Sequence, residues 1–406
     1  MKYFLIVLAF FCQNAFSQSD QLKGIVLNAD DNSALASASI FINNASVGTL
    51  SDANGKFTLN GIAQKNFELI ISYTGFSTVS LKITPENVAQ FHTIKMVPRK
   101  EMLEGISIMV PEKDGWKTWG KFFTESFLGE SDFAKQCIIE NPKVLRFFND
   151  KEHNRLTAYS NGNLIVRNKA LGYLIKYQLE EFDYDFKNKI ITYVGYTGFE
   201  DLKTRSSKKR SHWLKARAEA YYGSIMHFMR SLYADSILEN GFDVREKIRI
   251  NNNDSLFNKI YLPGNMPAVR IGNNTYKARP GEIPEFKKIP DYVDLINLKS
   301  FSFKDALTFN SATKQKELYF DNSLQVIYKN ANFKMDYLIK NGMPKYLKMN
   351  QLSTAYLVNT EPLEIEKDGS YFDPMNLMSY GYWGWCKMAE MLPIDYQPGI
   401  DSLSGK

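Results

Sequence analysis

Through the first hundred positions the apolar residues come in short runs broken by turn formers. Gly24-Ile25-Val26-Leu27 is an apolar strand closed by the turn cluster Asn28 to Asn32. Ala38 to Ile42 is the next strand, and after the Asn43-Asn44 turn Val47 to Leu50 runs into Ser51-Asp52-Ala53-Asn54-Gly55. The Asn-Gly pair supplies the positive-φ residues of a tight hairpin. Lys56 to Leu59 alternates polar and apolar like a half-buried strand, and Phe67 to Tyr73, Val79 to Ile83 and Phe91 to Met96 continue the rhythm. This spacing predicts an all-β sandwich over residues 18–98.

Beyond it the pattern changes. Residues 99–115 read as a linker ending in Val110-Pro111-Glu112-Lys113-Asp114-Gly115. Trp116, Trp119, Phe122, Phe123 and Phe127 then recur at helical intervals, and Asp132 to Ile139 reads as a second short helix stopped by Asn141-Pro142. Arg155 to Ser160 and Leu164 to Val166 flank Asn161-Gly162, a hairpin signal, and Gly172 to Phe186 and Ile190 to Tyr196 are longer alternating runs. Ser211 to Glu239 is the clearest helix. Leu214, Ala218, Tyr221, Ile225, Met229 and Leu232 fall on one face, Trp213, Arg217 and Ser224 on its polar flank, and Gly241 ends it. Arg245 to Ile250, Leu256 to Leu262, Glu317 to Phe320, Leu324 to Tyr328, Met335 to Ile339 and Tyr346 to Met349 read as strands, and residues 263–290 as a proline-rich loop. Residues 116–400 are expected to form one larger, β-rich α+β domain.

Gly24-x-Val26, Ala38-x-Ile40, Gly48-Thr49-Leu50-Ser51-Asp52-x-x-Gly55-x-Phe57 and Ile71-Ser72-Tyr73-x-Gly75-Phe76 follow one another in an order that resembles the carboxypeptidase regulatory-like domain. The resemblance implies a transthyretin-like, Greek-key sandwich that is noncatalytic in its family. Such modules also open many TonB-dependent receptors and other envelope proteins of Bacteroidota-type bacteria. Met102 to Ile108 falls where those proteins carry a Leu-x-Glu-Val-Val-Val-like segment. Asp52, Asn54 and Gly55 read either as a plain turn or as a cation loop with oxygens at alternate positions.

The N-terminus changes the picture of where the chain works. Lys2, the apolar run Tyr3 to Cys12 and the small residues of Ala15-Phe16-Ser17 have the layout of a signal peptide over residues 1–17. Export to the periplasm, or to the outer membrane or cell surface, follows as the expectation. It removes nucleic acid as a partner and points the formal charge of +6 at anionic glycans, lipid headgroups or envelope proteins. No later apolar run is long enough for a membrane helix. Cys137 and Cys386 would meet an oxidising compartment either as a disulfide or as separate buried thiols.

Catalytic motifs are scarce. Neither His-x-x-Glu nor His-Glu-x-x-His occurs, so a zinc carboxypeptidase lacks its ligands, and Gly-x-Ser-x-Gly is absent too. No cofactor or metal is expected. Glu180, Glu181, Asp183 and Asp185 crowd one strand, which alternation turns into a solvated face. Two features suggest binding instead. Lys203, Arg205, Lys208, Lys209 and Arg210 form a basic cluster before the long helix, suited to an anionic partner. Trp213, Arg217 and Ser224, with Trp383 and Trp385, would line a sugar or peptide groove in which aromatic faces and a guanidinium fork recognise a polar ligand. A binding or structural module of the envelope is the expected function. The alternatives are a hydrolase working through carboxylates of the larger domain and an outer-membrane β-barrel.

Overall fold

The computed structural model describes residues 21–62, 66–99, 110–251, 253, 269–271, 273–278, 292–311 and 313–399. The expected leader, the Met102 to Ile108 segment, the strand expected at Leu256 to Leu262 and most of the loop at 263–290 lie outside them. The chain divides into two compact units, the second formed by residues 109–160 and 164–406.

The first unit is a β-sandwich. β1 (Gln21–Asn28) lies between β4 (Lys56–Asn60), antiparallel, and β7 (Phe91–Met96), parallel. The second sheet runs β3 (Gly48–Leu50), β2 (Ser39–Ile42), β5 (Phe67–Ser72), β6 (Val79–Ile83). Alternation puts Leu22, Val26, Phe57, Leu59, Ile40 and Leu69 inside. The motif residues have local reasons. Gly24 leaves room for the Phe57 ring, since a Cβ there would sit 2.3 Å from the His92 carbonyl and 2.7 Å from that ring. Buried Ser51 donates to the Leu35 carbonyl and accepts from the Ala38 amide, pinning the loop before β2. The Asn54-Gly55 turn is not a hairpin: β3 and β4 belong to different sheets, and Gly55 alone of the pair has positive φ, so the turn carries the chain across the sandwich.

The second unit begins with α1 (Gly115–Leu128), whose Phe123 and Phe127 are fully buried against a six-stranded sheet. Asp132 to Ile139 is not the expected helix. Only Ala134–Gln136 makes a 3₁₀ turn, and Cys137–Ile139 becomes β8, pairing with β11 (Leu164–Asn168), as its two isoleucines favour. Asn161-Gly162 does not make a hairpin either. β10 (Arg155–Ser160) and β11 run in the same direction along one edge of the long β12 (Tyr173–Asp185), with Asn161–Asn163 stepping out between them. Ser160 seals the break: its hydroxyl donates to the Leu179 carbonyl and accepts from the Leu179 amide. β9 (Leu145–Asp150) pairs with β10, and β13 (Ile190–Asp201) with the far edge of β12.

The long helix expected over 211–239 is two helices, α2 (Ser207–Tyr221) and α3 (Ile225–Tyr233). Gly223, at φ +88°, breaks it, and the Ser224 hydroxyl caps α3 by accepting from the His227 amide. The break lets one amphipathic pattern serve two sheets. Ala216 and Tyr221 of α2 belong to the core of the first sheet; Phe228, Met229 and Leu232 of α3 belong to the core of a second. Helix therefore ends well before Gly241, which instead opens a strand at φ +86°.

That second sheet has seven strands among the described residues, in the order β15 (Val269–Ile271), β16 (Asn274–Ala278), β17 (Tyr292–Asn297), β14 (Phe242–Asn251), β20 (Ser323–Asn332), β21 (Asn350–Leu357), β23 (Leu377–Gly381). A small sheet of β18 (Leu307–Asn310), β19 (Gln315–Leu318) and β22 (Leu363–Ile365) adds Leu318, Leu363 and Ile365 to the same core. Met335–Lys340 is α4 rather than a strand: neighbours Tyr337 and Leu338 are both buried, which alternation forbids, and Asp336 favours the helix N-terminus. Tyr346 to Met349 is loop, turned by Pro344. The short α5 (Tyr382–Trp385) follows β23. No helix among the described residues is long and apolar enough to cross a membrane.

Candidate functional site

The residues expected to line a groove sit at three places. Trp213 is buried and donates its indole N–H to the Lys169 carbonyl, 2.9 Å away, with Gly172 leaving space for its ring. Arg217 is fully buried. It donates to the Leu171 and Gly172 carbonyls and to Asp201 Oδ1 at 2.6 Å, and its guanidinium lies 3.7 Å above the Tyr173 ring. Together they fasten α2 to the turn between β11 and β12. Ser224 caps α3, and Trp383 meets the same joint: its indole donates to the Gly223 carbonyl and its ring packs on Phe228. Trp385 stands apart, edge-on to Tyr337. Trp213, Arg217, Ser224 and Trp383 are committed to packing, backbone groups and Asp201, while the Trp385 indole N–H has no hydrogen-bond partner among the described residues.

Cys137 and Cys386 are free, so the bridge is not formed. Burial pushes the Cys137 thiol up to about 12 and the Cys386 thiol well above its usual value, with the Glu390 carboxyl adding to both. Such thiols stay protonated and are poor nucleophiles. Glu390 is itself buried, which raises its pKa against the opposing influence of Lys334, whose ammonium pairs with Glu219 at 3.1 Å.

Three acidic residues of β12 gather about one cation: Asp183, with Asp185 and Glu181 adding, raises the pKa of Arg155. Asp183 pairs with Arg155 at 2.8 Å, and Asp185 accepts from the amides of Lys187 and Asn188. Asp52 is an Asx turn, its Oδ1 taking the Asn54 and Lys56 amides. No cluster of three or more His, Cys, Asp or Glu that could hold a metal occurs among the described residues. His227 is buried among Tyr221, Phe242 and Tyr328, and burial lowers its pKa to about 4, so it stays neutral.

Two charged surfaces remain. Lys203, Arg205, Lys208 and Lys209 are exposed and Arg210 partly so, with Lys208, Lys209 and Arg210 in the first turns of α2, where no acidic residue lies. None of the five forms an ion pair with a described residue, although Lys209 lies 5.1 Å from the Trp213 ring. The positive helix end makes this accumulation unfavourable on its own. The other surface escaped sequence reasoning. Buried Lys247 of β14 reaches Asp294 of β17 at 2.6 Å and donates to the Tyr380 hydroxyl, while Arg249 grips the same carboxylate through two hydrogen bonds, 2.7 and 2.9 Å. Burial opposes the Asp294 charge, but the hydrogen bonds from Arg249 and Lys247 outweigh it and hold the carboxyl below its usual value. The only sequence signal was cations at alternate positions of one strand.

A model of the CarboxypepD_reg-like domain matches residues 22–110. The N-terminal sandwich is a carboxypeptidase regulatory-like domain. Gly24, Ser51, Gly55 and Phe57, four of the residues that carry the resemblance, have defined packing and turn roles in it. No curated protein matches the chain. Among solved structures, a 9R-lipoxygenase from Cyanothece PCC8801 aligns over 52% of this chain and 48% of its own, at 9% identity and TM-score 0.18. BcpA, the major pilin subunit of Bacillus cereus, aligns over 88% and 96%, at 10% identity and TM-score 0.14. At such scores neither likeness carries an argument.

Proposed function

We propose that this is an exported protein of the cell envelope, in which the regulatory-like sandwich is a noncatalytic accessory module and the larger unit binds an anionic envelope or extracellular polymer. The observation that carries the reading is the basic cluster Lys203, Arg205, Lys208, Lys209 and Arg210. It is largely exposed, has no carboxylate partner among the described residues, and gathers at the positive end of a 15-residue helix. Cations kept together against their own repulsion and the helix dipole are stabilised by an anion laid across them. The basic patch carries the reading rather than the aromatic residues, because Trp213, Arg217 and Trp383 are buried.

The test is retention of the mature chain, residues 18–406, on an immobilised anionic envelope extract. Replacing Lys208, Lys209 and Arg210 together by Glu should reduce retention at least tenfold, and salt should release the unaltered protein. Retention that survives both the reversal and high salt refutes the reading.

A further inference from the structure

The seven-stranded sheet has two unlike faces. Phe242, Val244, Leu324 and Val326 pack one of them onto α3. On the other, register places Lys247 and Arg249 beside Asp294 and Tyr292, and across the sheet Tyr356 and Tyr380. We infer that this second face is a binding site for acidic sugars, with Arg249 meeting a uronate carboxylate and Tyr356 and Tyr380 carrying the pyranose ring.

The charges around Asp294 are unequal. A Lys247–Asp294 pair alone would join β14 to β17 and be neutral. Arg249 adds a second cation to the same carboxylate. It is 47% exposed, while Lys247 and Asp294 are 3% and 2% exposed. Among the described residues, two cations around one carboxylate leave a positive surplus on partly desolvated groups, and an incoming anion is what balances it.

The cation is also preorganised. Arg249 is held by two hydrogen bonds to Asp294 and stacks 3.7 Å above the Tyr292 ring. The Tyr380 hydroxyl reaches Lys247 across β21 and β20, over the buried Thr354 and Gln325 that lie in its row. The guanidinium is therefore fixed before any ligand arrives, with Nη1 engaged by no described residue, which lowers the entropic cost of binding.

Two tyrosine rings select the class of anion. The Tyr356 and Tyr380 rings lie 6.4 Å apart and stay partly open at 37% and 39% exposure. An aromatic surface beside a charge suits a ring with an apolar face and a carboxylate edge. An acidic peptide would use the charge and leave the rings idle.

The site is independent of the α2 cluster, so the test removes that cluster. Calorimetry uses the full mature chain carrying K208E, K209E and R210E, titrated with trigalacturonate, neutral trigalactose and triglutamate. Trigalacturonate should bind at least tenfold more tightly than either of the others. Arg249→Ala, which leaves the neutral Lys247–Asp294 pair in place, should weaken it at least tenfold, and Tyr356→Ala, at an exposed position, at least fivefold. Arg249→Lys should fall between wild type and Arg249→Ala, because it keeps charge and loses the fork. No trigalacturonate binding, equal binding of trigalactose or triglutamate, or affinity unchanged in both Arg249→Ala and Tyr356→Ala would each overturn the site.

Discussion

The two units bury different things. Among the described residues, the buried polar side chains of the sandwich are two serines, and the rest of its core is aliphatic and aromatic. The larger unit buries Arg217, His227, Lys247, Asp294 and Glu390. The first is thus held by volume and turn geometry, the second also by charges that must find partners. This difference shows where each unit is vulnerable: crowding damages one, and titration or an orphaned charge damages the other.

The largest effect should come from crowding the sandwich. Gly24→Val drives a side chain into the His92 carbonyl and the Phe57 ring, and should cost about 4 kcal/mol of stability in denaturant unfolding. A cost below about 1 kcal/mol would mean the sandwich gives way more easily than its packing implies.

The larger unit should answer to acid. His227 has a folded pKa of about 4 against an ordinary 6.5, so the folded state holds it neutral. Its contribution is present above about 6.5 and is lost as pH falls toward 4, to a limit of about 3 kcal/mol. His227→Gln should flatten that loss in melts run from pH 7 to pH 4. An unchanged slope would place the acid sensitivity elsewhere.

Gly223→Ala is intermediate. The residue has φ +88°, and a Cβ would come within 2.6 Å of the Gln351 side-chain oxygen and 2.7 Å of the Tyr328 ring. Thermal melts should show a loss of about 2 kcal/mol if the joint between α2 and α3 is fixed. No loss would make it a pliable hinge.

The smallest effect concerns the thiols. With Cys137 and Cys386 free and held protonated by burial, maleimide should label neither in the native protein and both after unfolding without reductant. A chain that takes up two labels only after reduction carries the disulfide instead.

The same contrast decides what could be read from the sequence. In the sandwich, alternation and Gly, Ser and Asx turn chemistry are local, so strands and motif residues were legible, apart from the Asn54-Gly55 turn that crosses between sheets. In the larger unit the failures are non-local. Asn161-Gly162 is a hairpin signal overridden because both flanking strands share the edge of β12. The 211–239 pattern is continuous in helical period, and only the competing demands of two sheets split it. Arg217 has the chemistry of a ligand fork, yet besides Asp201 its partners are carbonyls more than forty residues back, which spacing cannot reveal. Lys247, Arg249 and Asp294 became a constellation only when β14 and β17 paired.

Hydrogen exchange of residues 18–406 with and without a soluble anionic polymer tests directly whether the start of α2 is a binding surface. The account predicts new protection at residues 203–215 and unchanged exchange at 382–386, where Trp383 and Trp385 are already packed. Protection at 382–386 with none along the start of α2 would contradict it.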